Sequence, residues 1–149
     1  KPKNYDIRVT NKNADLWKYA VLDKVLGYSW REQSPTTQML GRFQPWHDGH
    51  RKLFETIVKK DLQVNIQVKD VGGSNKSNPF SFRRVKDNIE KDLKIFKSRF
   101  KISKVPNIVK VVYGRKVGYK IEQILTPIKF RKIAASNIRK KLRKKGLLK

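Results

Sequence analysis

Apolar residues recur with two different periods along this chain, and each period predicts a different element. In residues 63–69 every second residue is apolar, which is the period of a β-strand. In residues 50–60 the apolar residues fall on one face of a helix, as they do in a second, longer helix further along the chain. The first helix places Leu53, Phe54, Ile57 and Val58 inward, and the second places Val85, Ile89, Leu93 and Phe96 inward.

Strands and helices alternate over most of the chain. Two more short strands are predicted at 36–40, before Gly41, and at 108–113, and a polar loop at 70–79 precedes the second helix. Strands that are separated by helices favour a parallel sheet with helices packed on it. We therefore expect an α/β domain over residues 36–149, in which a parallel sheet lies between two layers of helices.

The C-terminal stretch is predicted to be a basic helix. It begins at Ser136, which suits a helix N-cap, and it places Ile138 and Leu142 inward with basic residues elsewhere. Residues 119–125 and 130–133 carry no decisive pattern.

Residues 1–35 are predicted to be an appendage to the domain or the remnant of an upstream domain. Residues 14–26 have apolar positions near helical spacing, with Asn13 ahead of them and Gly27 where a helix would end. The polar stretch 31–35 is typical of a connector. A short extended stretch is indicated before the helix by the alternation of Tyr5, Ile7 and Val9.

Composition limits the class of protein. A chain of 149 residues with 38% hydrophobic residues is large enough for one domain with a core and too apolar for a disordered polycation. Cysteine is absent, which excludes disulfides and thiolate metal sites. No apolar run is long enough to cross a bilayer and no signal peptide is recognisable, so we expect a cytoplasmic protein without a membrane partner.

The net charge of +25, from 37 Lys and Arg against 12 Asp and Glu, is expected to attract polyanions. Basic residues are spread along the whole chain, and only residues 139–145 form a dense cluster. We interpret the charge as a general surface bias, so that a nucleic-acid partner is possible but not favoured.

The loop after the first strand, residues 41–50, reads Gly-Arg-Phe-Gln-Pro-Trp-His-Asp-Gly-His. In a parallel sheet, ligands bind beyond the carboxyl ends of strands, where loops lead into helix N-termini. Gly41 allows the backbone to approach a ligand closely, and the free amides of a helix start favour phosphate. His47 and His50 can donate hydrogen bonds to phosphate oxygens. A metal site is the alternative, but the chain has no further histidine and no cysteine to complete one.

This loop resembles the His-x-Gly-His motif of the nucleotidyltransferase superfamily, which includes nicotinamide-mononucleotide and pantetheine-phosphate adenylyltransferases and the glycerol-phosphate and choline-phosphate cytidylyltransferases. The fuller pattern is most similar to the archaeal-type nicotinamide-mononucleotide adenylyltransferases, except that Trp46 replaces a more common phenylalanine. The resemblance implies a Rossmann-like fold. It also implies that His47 and His50 contact the triphosphate and stabilise the α-phosphate during an in-line displacement.

Residues 133–139, Ile-Ala-Ala-Ser-Asn-Ile-Arg, are similar to the second motif of that superfamily, Ile-Ser-Ser-Thr-x-Ile-Arg. The similarity implies that the amides around Ser136 face an anion and that Arg139 pairs with β- or γ-phosphate oxygens. Ala134 stands where the family usually has serine, so one hydroxyl contact of the family is missing.

Two other segments are predicted to lie near the acceptor. Residues 78–84 resemble the Asn-Pro-Phe-Thr segment of the archaeal-type enzymes. Val85 takes the place of an arginine of that segment, so that either Arg83 or Arg84 replaces it or no residue does. Residues 113–119 form a glycine-bounded basic loop after the predicted strand. A plain helix start and a plain turn are the alternatives for these two segments. The acceptor-binding candidates are Trp46, Asn78, Arg84 and Arg115.

Residues 101–105 resemble the Lys-Met-Ser-Lys-Ser loop of class I aminoacyl-tRNA synthetases, but the chain has no room for the additional domains of those enzymes, and we discount the match.

These motifs predict a nucleotidyltransferase that transfers a nucleotidyl group, adenylyl from ATP by first preference, to a small phosphorylated or hydroxyl acceptor. His47, His50 and Arg139 are the predicted catalytic residues, and Mg²⁺ is expected to accompany the triphosphate. No general base is required, because such catalysis rests on positioning and charge stabilisation. The nucleotide-binding candidates are Gly41, Arg42, Phe43, Gln44, Gly49, Ser136, Asn137 and Ile138.

Two alternatives stay open. A cytidylyltransferase would use the same loop with CTP, since no residue in the motifs selects the base. A basic nucleotide- or RNA-binding module without turnover is the other alternative, and Ala134 together with the net charge of +25 motivates it.

Overall fold

The computed structural model describes residues 17–72, 75–115 and 118–149; for residues 17–20 and 22 it describes the backbone alone. The predicted extended stretch near Ile7 and the predicted cap at Asn13 lie outside the described residues. The helices are α1 (Trp17–Leu26), α2 (Asp48–Val58), α3 (Phe82–Asp92), a 3₁₀ helix (Lys94–Arg99), α4 (Ile128–Arg131) and α5 (Ala135–Lys144); the strands are β1 (Thr36–Gly41), β2 (Gln63–Lys69) and β3 (Phe100–Val105). None of the helices in these ranges is long and apolar enough to span a membrane.

The three described strands form one parallel sheet in the order β1-β2-β3. Gly41 is the partner of Val68, and Val68 is in turn the partner of Lys104, so the carboxyl ends of all three strands lie along one edge. The predictions of an α/β fold and a parallel sheet are confirmed, including the strand at 63–69.

The alternation of β2 separates an apolar face of the sheet from a polar one. Val64, Ile66 and Val68 are almost fully buried in a core that also contains Phe54 and Phe96. On the other face the Ser103 hydroxyl donates to Asn65 at 2.9 Å, and the Gln38 amide donates to Gln67. The residues between the apolar ones therefore pair with polar side chains of the neighbouring strands.

The third strand does not lie at residues 108–113, where it was predicted. Residues 100–105 form β3, and the ring of Phe100 packs 5.9 Å from that of Phe54. Residues 108–113 have no regular structure, and Val109 is 84% exposed. The prediction of a strand at 108–113 was wrong because the segment directly after the 3₁₀ helix occupies the position beside β2.

The predicted long helix through Val85 and Phe96 is two helices. α3 ends at Asp92, its C-cap Leu93 leaves the helical region with a φ of −100° and a ψ of 20°, and the 3₁₀ helix follows. Val85, Ile89, Leu93 and Phe96 are nevertheless all fully buried. The apolar spacing therefore identified the core residues correctly, although it did not identify the turn between the two helices.

Helix α1 contacts the 3₁₀ helix through a buried carboxylate. Asp23, which is 6% exposed, accepts from the Arg99 guanidinium at 2.6 Å and from the Ser98 hydroxyl, also at 2.6 Å. The same guanidinium lies 4.1 Å from the centre of the Tyr28 ring. This group of polar contacts connects α1 to the end of the sheet at which β3 begins.

We predict that Asp23→Asn lowers the free energy of unfolding by about 3 kcal/mol, because removing one partner of a buried ion pair leaves the other charge uncompensated. Asp87→Asn, which changes an exposed carboxylate on α3, serves as the control and should change stability by less than about 0.5 kcal/mol. Urea unfolding followed by circular dichroism measures both variants. Equal stability of the two variants would contradict a structural role for the Asp23–Arg99 pair.

Candidate functional site

The site lies where β1 ends and α2 begins. A Cβ atom on Gly41 would come within 2.7 Å of the Phe43 ring, so glycine is needed there for the ring to cover the backbone. The backbone of Phe43 is left-handed, with a φ of 54°. This turn directs the Phe43 side chain into the core, where it is 3% exposed. The loop therefore folds back over the end of β1.

Two histidines terminate the loop and cap the helix. His47 is the N-cap of α2, and its Nδ1 accepts a hydrogen bond from the Gly49 amide at 3.0 Å. The His47 amide in turn donates to Nδ1 of His50 at 3.1 Å. The two imidazole rings stack with their centres 3.7 Å apart. The arrangement is a capping box in which both side chains are imidazoles.

These hydrogen bonds determine which ring nitrogen carries the hydrogen. A neutral imidazole has one donor nitrogen and one acceptor nitrogen. Because Nδ1 is the acceptor in both rings, each neutral imidazole carries its hydrogen on Nε2. Among the described residues neither Nε2–H group has a hydrogen-bond acceptor, so His47 and His50 can each donate one N–H group to a ligand.

Burial keeps both rings neutral. Desolvation, and secondarily the neighbouring His47, lowers the pKa of His50 to about 3. Its ring lies against Phe43, with centres 4.9 Å apart, and against Trp46, with centres 5.5 Å apart. Desolvation also lowers the pKa of His47, against the opposing effect of the Asp48 carboxylate. At neutral pH the pair can donate hydrogen bonds but does not carry positive charge.

Gly49 permits the close contacts around these rings. A Cβ atom at this position would lie 2.8 Å from the His47 ring and 3.0 Å from the Phe130 carbonyl oxygen of α4. The absence of a side chain at residue 49 thus allows both the imidazole and α4 to approach the start of α2.

Two distant segments join the loop. The Gln44 side chain donates to the Phe80 carbonyl at 2.9 Å and accepts from the Phe80 amide at 2.8 Å. Arg42 donates to the Asn78 side chain at 3.2 Å. Arg139, from α5, donates to the backbone carbonyl of Gln44 at 2.7 Å. The three segments that the motifs singled out, residues 41–50, 78–84 and 133–139, are therefore in contact.

Arginines from two of these segments lie close together. Burial, followed by the positive charges of Arg42 and Arg143, lowers the pKa of Arg139. Arg143 donates to the Lys76 carbonyl at 2.7 Å. Within the described residues, none of the three arginines forms an ion pair with an Asp or Glu side chain. Such a group of guanidinium side chains is suited to bind a multiply charged anion.

A buried polar group behind the loop was not predicted from the sequence. The Trp46 indole, which is 8% exposed, donates to the Asp92 carboxylate at 2.8 Å. Arg51 pairs with Glu55 at 2.8 Å and with Asp92 at 3.2 Å. The i, i+4 spacing of Arg51 and Glu55 was the only sequence signal for this group.

The start of α5 differs from the prediction. Ala134, with extended backbone angles, is the N-cap, and it makes no side-chain hydrogen bond. Ser136 is already the second helical residue, so its prediction as the cap was wrong. Ser136 and Asn137 are exposed, and Ile138 is half-buried. The Ala134 carbonyl accepts from the Asn137 and Ile138 amides, as an N-cap carbonyl does.

The remaining two candidates are exposed. Arg84 donates through its backbone amide to the Ser81 hydroxyl that caps α3. In the parts of the chain that the structure describes, no hydrogen bond or ion pair connects the side chain of Arg84 or Arg115 to the loop. Their proposed contacts with an acceptor stay predictions.

A cleft of about 210 Å³ adjoins the loop at the carboxyl ends of β2 and β3. It is lined by Gln44, Asp70, Phe80, Phe82 and Lys104 among others, and Lys104 pairs with Asp70 at 3.2 Å. A cleft at this edge of a parallel sheet is where a ligand is expected to bind. No group of three or more His, Asp or Glu side chains in the described ranges is arranged to hold a metal ion.

We predict that His50 does not titrate between pH 8 and about pH 5 in the folded protein. The unfolded chain takes up this proton near pH 6.5, whereas the folded protein does so near pH 3. The contribution to stability is therefore complete above pH 6.5 and is lost as the pH falls towards 3. Nitrogen-detected NMR of the imidazoles should show the Nε2–H form throughout; a His50 signal that titrates near pH 6.5 would contradict the burial argument.

His50→Asn provides the control, since an asparagine oxygen can replace Nδ1 as the acceptor without titrating. Between pH 7.5 and 5, the unfolding free energy of this variant should depend on pH less steeply than that of the wild type. The reason is that the variant takes up about one proton fewer on unfolding.

No protein-family model matches the chain, and no curated protein sequence is significantly similar to it.

Proposed function

We propose that this protein is a nucleotidyltransferase that binds a nucleoside triphosphate at the start of α2 and transfers its nucleotidyl group to a small acceptor. The observation that supports the proposal most is the meeting of two neutral imidazole donors with Arg139 around one loop. Hydrogen-bond donors and fixed cations in a partly buried loop are the groups needed to stabilise charge on transferring phosphates.

The chemistry assigned to each group follows from its protonation state. His47 and His50 donate through Nε2 to non-bridging oxygens of the α-phosphate, where negative charge develops as the acceptor attacks. Arg139, with Arg42 nearby, pairs with the β- and γ-phosphates and stabilises the pyrophosphate that leaves. The acceptor oxygen forms the new bond to the α-phosphorus as the bond to pyrophosphate breaks. Mg²⁺ belongs to the substrate, because it is coordinated by the phosphates of the nucleotide.

The neutral histidines are not assigned a role in proton transfer. A pKa lowered to about 3 makes His50 a poor base at neutral pH. The proposal therefore uses both histidines only as hydrogen-bond donors, and the rate should depend on their position more than on pH.

The acceptor is proposed to bind beside the loop, in the cleft lined by Gln44, Phe80 and Phe82. Asn78 is buried and accepts a hydrogen bond from Arg42, and it thereby supports the loop beside this cleft. The proposal extends to a Rossmann-like three-layer arrangement, which the parallel sheet and the site at its carboxyl edge favour. A cytoplasmic location is part of the same proposal.

ATP is the first choice of nucleotide because the loop is most similar to the adenylyltransferase form of the motif. CTP is the second candidate. Both belong in the first assay.

We predict pyrophosphate release from Mg·ATP, or from Mg·CTP, with at least one of four phosphorylated acceptors: nicotinamide mononucleotide, phosphopantetheine, glycerol phosphate and choline phosphate. The double variant His47→Asn/His50→Asn should lose at least about 100-fold in kcat, since one such donor is worth about that much. Asparagine can keep the acceptor oxygen that caps α2 while removing the Nε2–H group, and circular dichroism checks that the variant is folded at the assay temperature.

His47→Gln/His50→Gln is the matched control, because a glutamine amide nitrogen can replace Nε2 as the donor. This pair should retain more activity than the asparagine pair. Asparagine variants that are folded and as active as the wild type would contradict the assignment of the two histidines.

A further inference from the structure

Helix α5 has two faces of different character. Ile138, Arg139, Leu142 and Arg143 are half-buried, and Arg139 reaches the loop of the candidate site. The opposite face carries four exposed lysines. We refer to these residues as the lysine face: Lys140, Lys141, Lys144 and Lys145.

The lysine face lies in a part of the chain without carboxylates. Residues 123–149 contain ten Lys and Arg residues and no Asp or Glu. Within the described residues, no lysine of this face forms an ion pair. The charge of this face is therefore not compensated by its own segment.

This arrangement is unfavourable for the isolated helix. Lys140 and Lys144 are four residues apart, as are Lys141 and Lys145, and like charges at this spacing destabilise a helix by a few tenths of a kcal/mol per pair. Lys141 and Lys144, in the last turn, and Lys145, at the C-cap, gain some stabilisation from the negative end of the helix dipole, but Lys140 lies outside the last turn. A bound polyanion would remove the repulsion at all four positions.

The composition of the exposed face favours phosphodiester groups over a lipid surface. Helices that bind a bilayer surface insert apolar side chains beside their basic ones. In α5 the apolar residues Ile138 and Leu142 are on the half-buried side, and the exposed side presents lysines with Ser136 and Asn137. Lysine ammonium groups are sufficient to neutralise a phosphate backbone without reading its sequence.

We propose that the lysine face of α5 binds the phosphate backbone of a nucleic acid by charge neutralisation. This surface is distinct from the nucleotide site, because Arg139 and Arg143 point to the other side of the helix. The proposal goes beyond the transferase activity and does not require it.

The test compares two variants of equal net charge. One replaces the lysine face (Lys140, Lys141, Lys144 and Lys145) with glutamine, and the control replaces four other exposed lysines, Lys59, Lys60, Lys94 and Lys97. Fluorescence anisotropy with a labelled 20-base-pair DNA duplex, titrated between 50 and 300 mM KCl, gives the dependence of log K on log salt concentration. Each phosphate that is neutralised contributes about 0.9 to the magnitude of this slope.

The lysine-face variant should lose about 3 to 4 from the slope magnitude and most of its affinity, whereas the control should lose less than about 1. Glutamine is a good helix former, and circular dichroism should show unchanged helix content. An equal loss of slope in both variants would overturn the proposal in favour of diffuse attraction.

Phosphatidylserine vesicles provide a second comparison at the same salt concentrations. Stronger binding of the vesicles than of the duplex, lost only in the lysine-face variant, would also overturn the proposal by assigning the face to a lipid surface. The assay contains no nucleotide or acceptor, so its outcome is independent of whether transferase activity is found.

Discussion

The amides of His47 and Gly49 each donate to an imidazole Nδ1 at the start of α2, and the candidate site depends on these two hydrogen bonds. They satisfy backbone groups that a helix start leaves without intrahelical partners, and they place the remaining hydrogen of each ring on Nε2. Burial against Phe43 and Trp46 keeps His50 neutral. The same contacts that stabilise the start of the helix therefore prepare two donors for a ligand.

The parallel sheet explains why residues far apart in sequence reach this loop. All three carboxyl strand ends lie along one edge, so the loop after β1 and the segment after β2 become neighbours. The side-chain amide of Gln44 forms two hydrogen bonds with the segment after β2, and the backbone carbonyl of Gln44 accepts from Arg139. Helix α5 thereby contributes a cation to the site on one face, while its other face is available for the proposed nucleic-acid contact.

Local patterns were sufficient to predict most of the core and the loop between β1 and α2 that carries the candidate site. The alternation in β2 and the helical spacing of Val85 and Ile89 reflect burial, which depends on side-chain period and was predicted correctly. The position of β3 was missed, because residues 108–113 are more apolar than residues 100–105 and only tertiary packing decides between the two segments. The Trp46–Asp92 bond was missed for a related reason, since no sequence pattern joins residues that are 46 positions apart.

The measurement that tests the central claim most directly is calorimetric binding of Mg·ATP and Mg·CTP at near-physiological salt, with tripolyphosphate for comparison. The account predicts that one nucleotide binds more tightly than tripolyphosphate and that His47→Asn/His50→Asn weakens the binding of that nucleotide. A nucleotide site requires more than charge, so the preference should persist as salt is raised. Equal binding of all three ligands, weakened by salt and unchanged in the variant, would contradict the account.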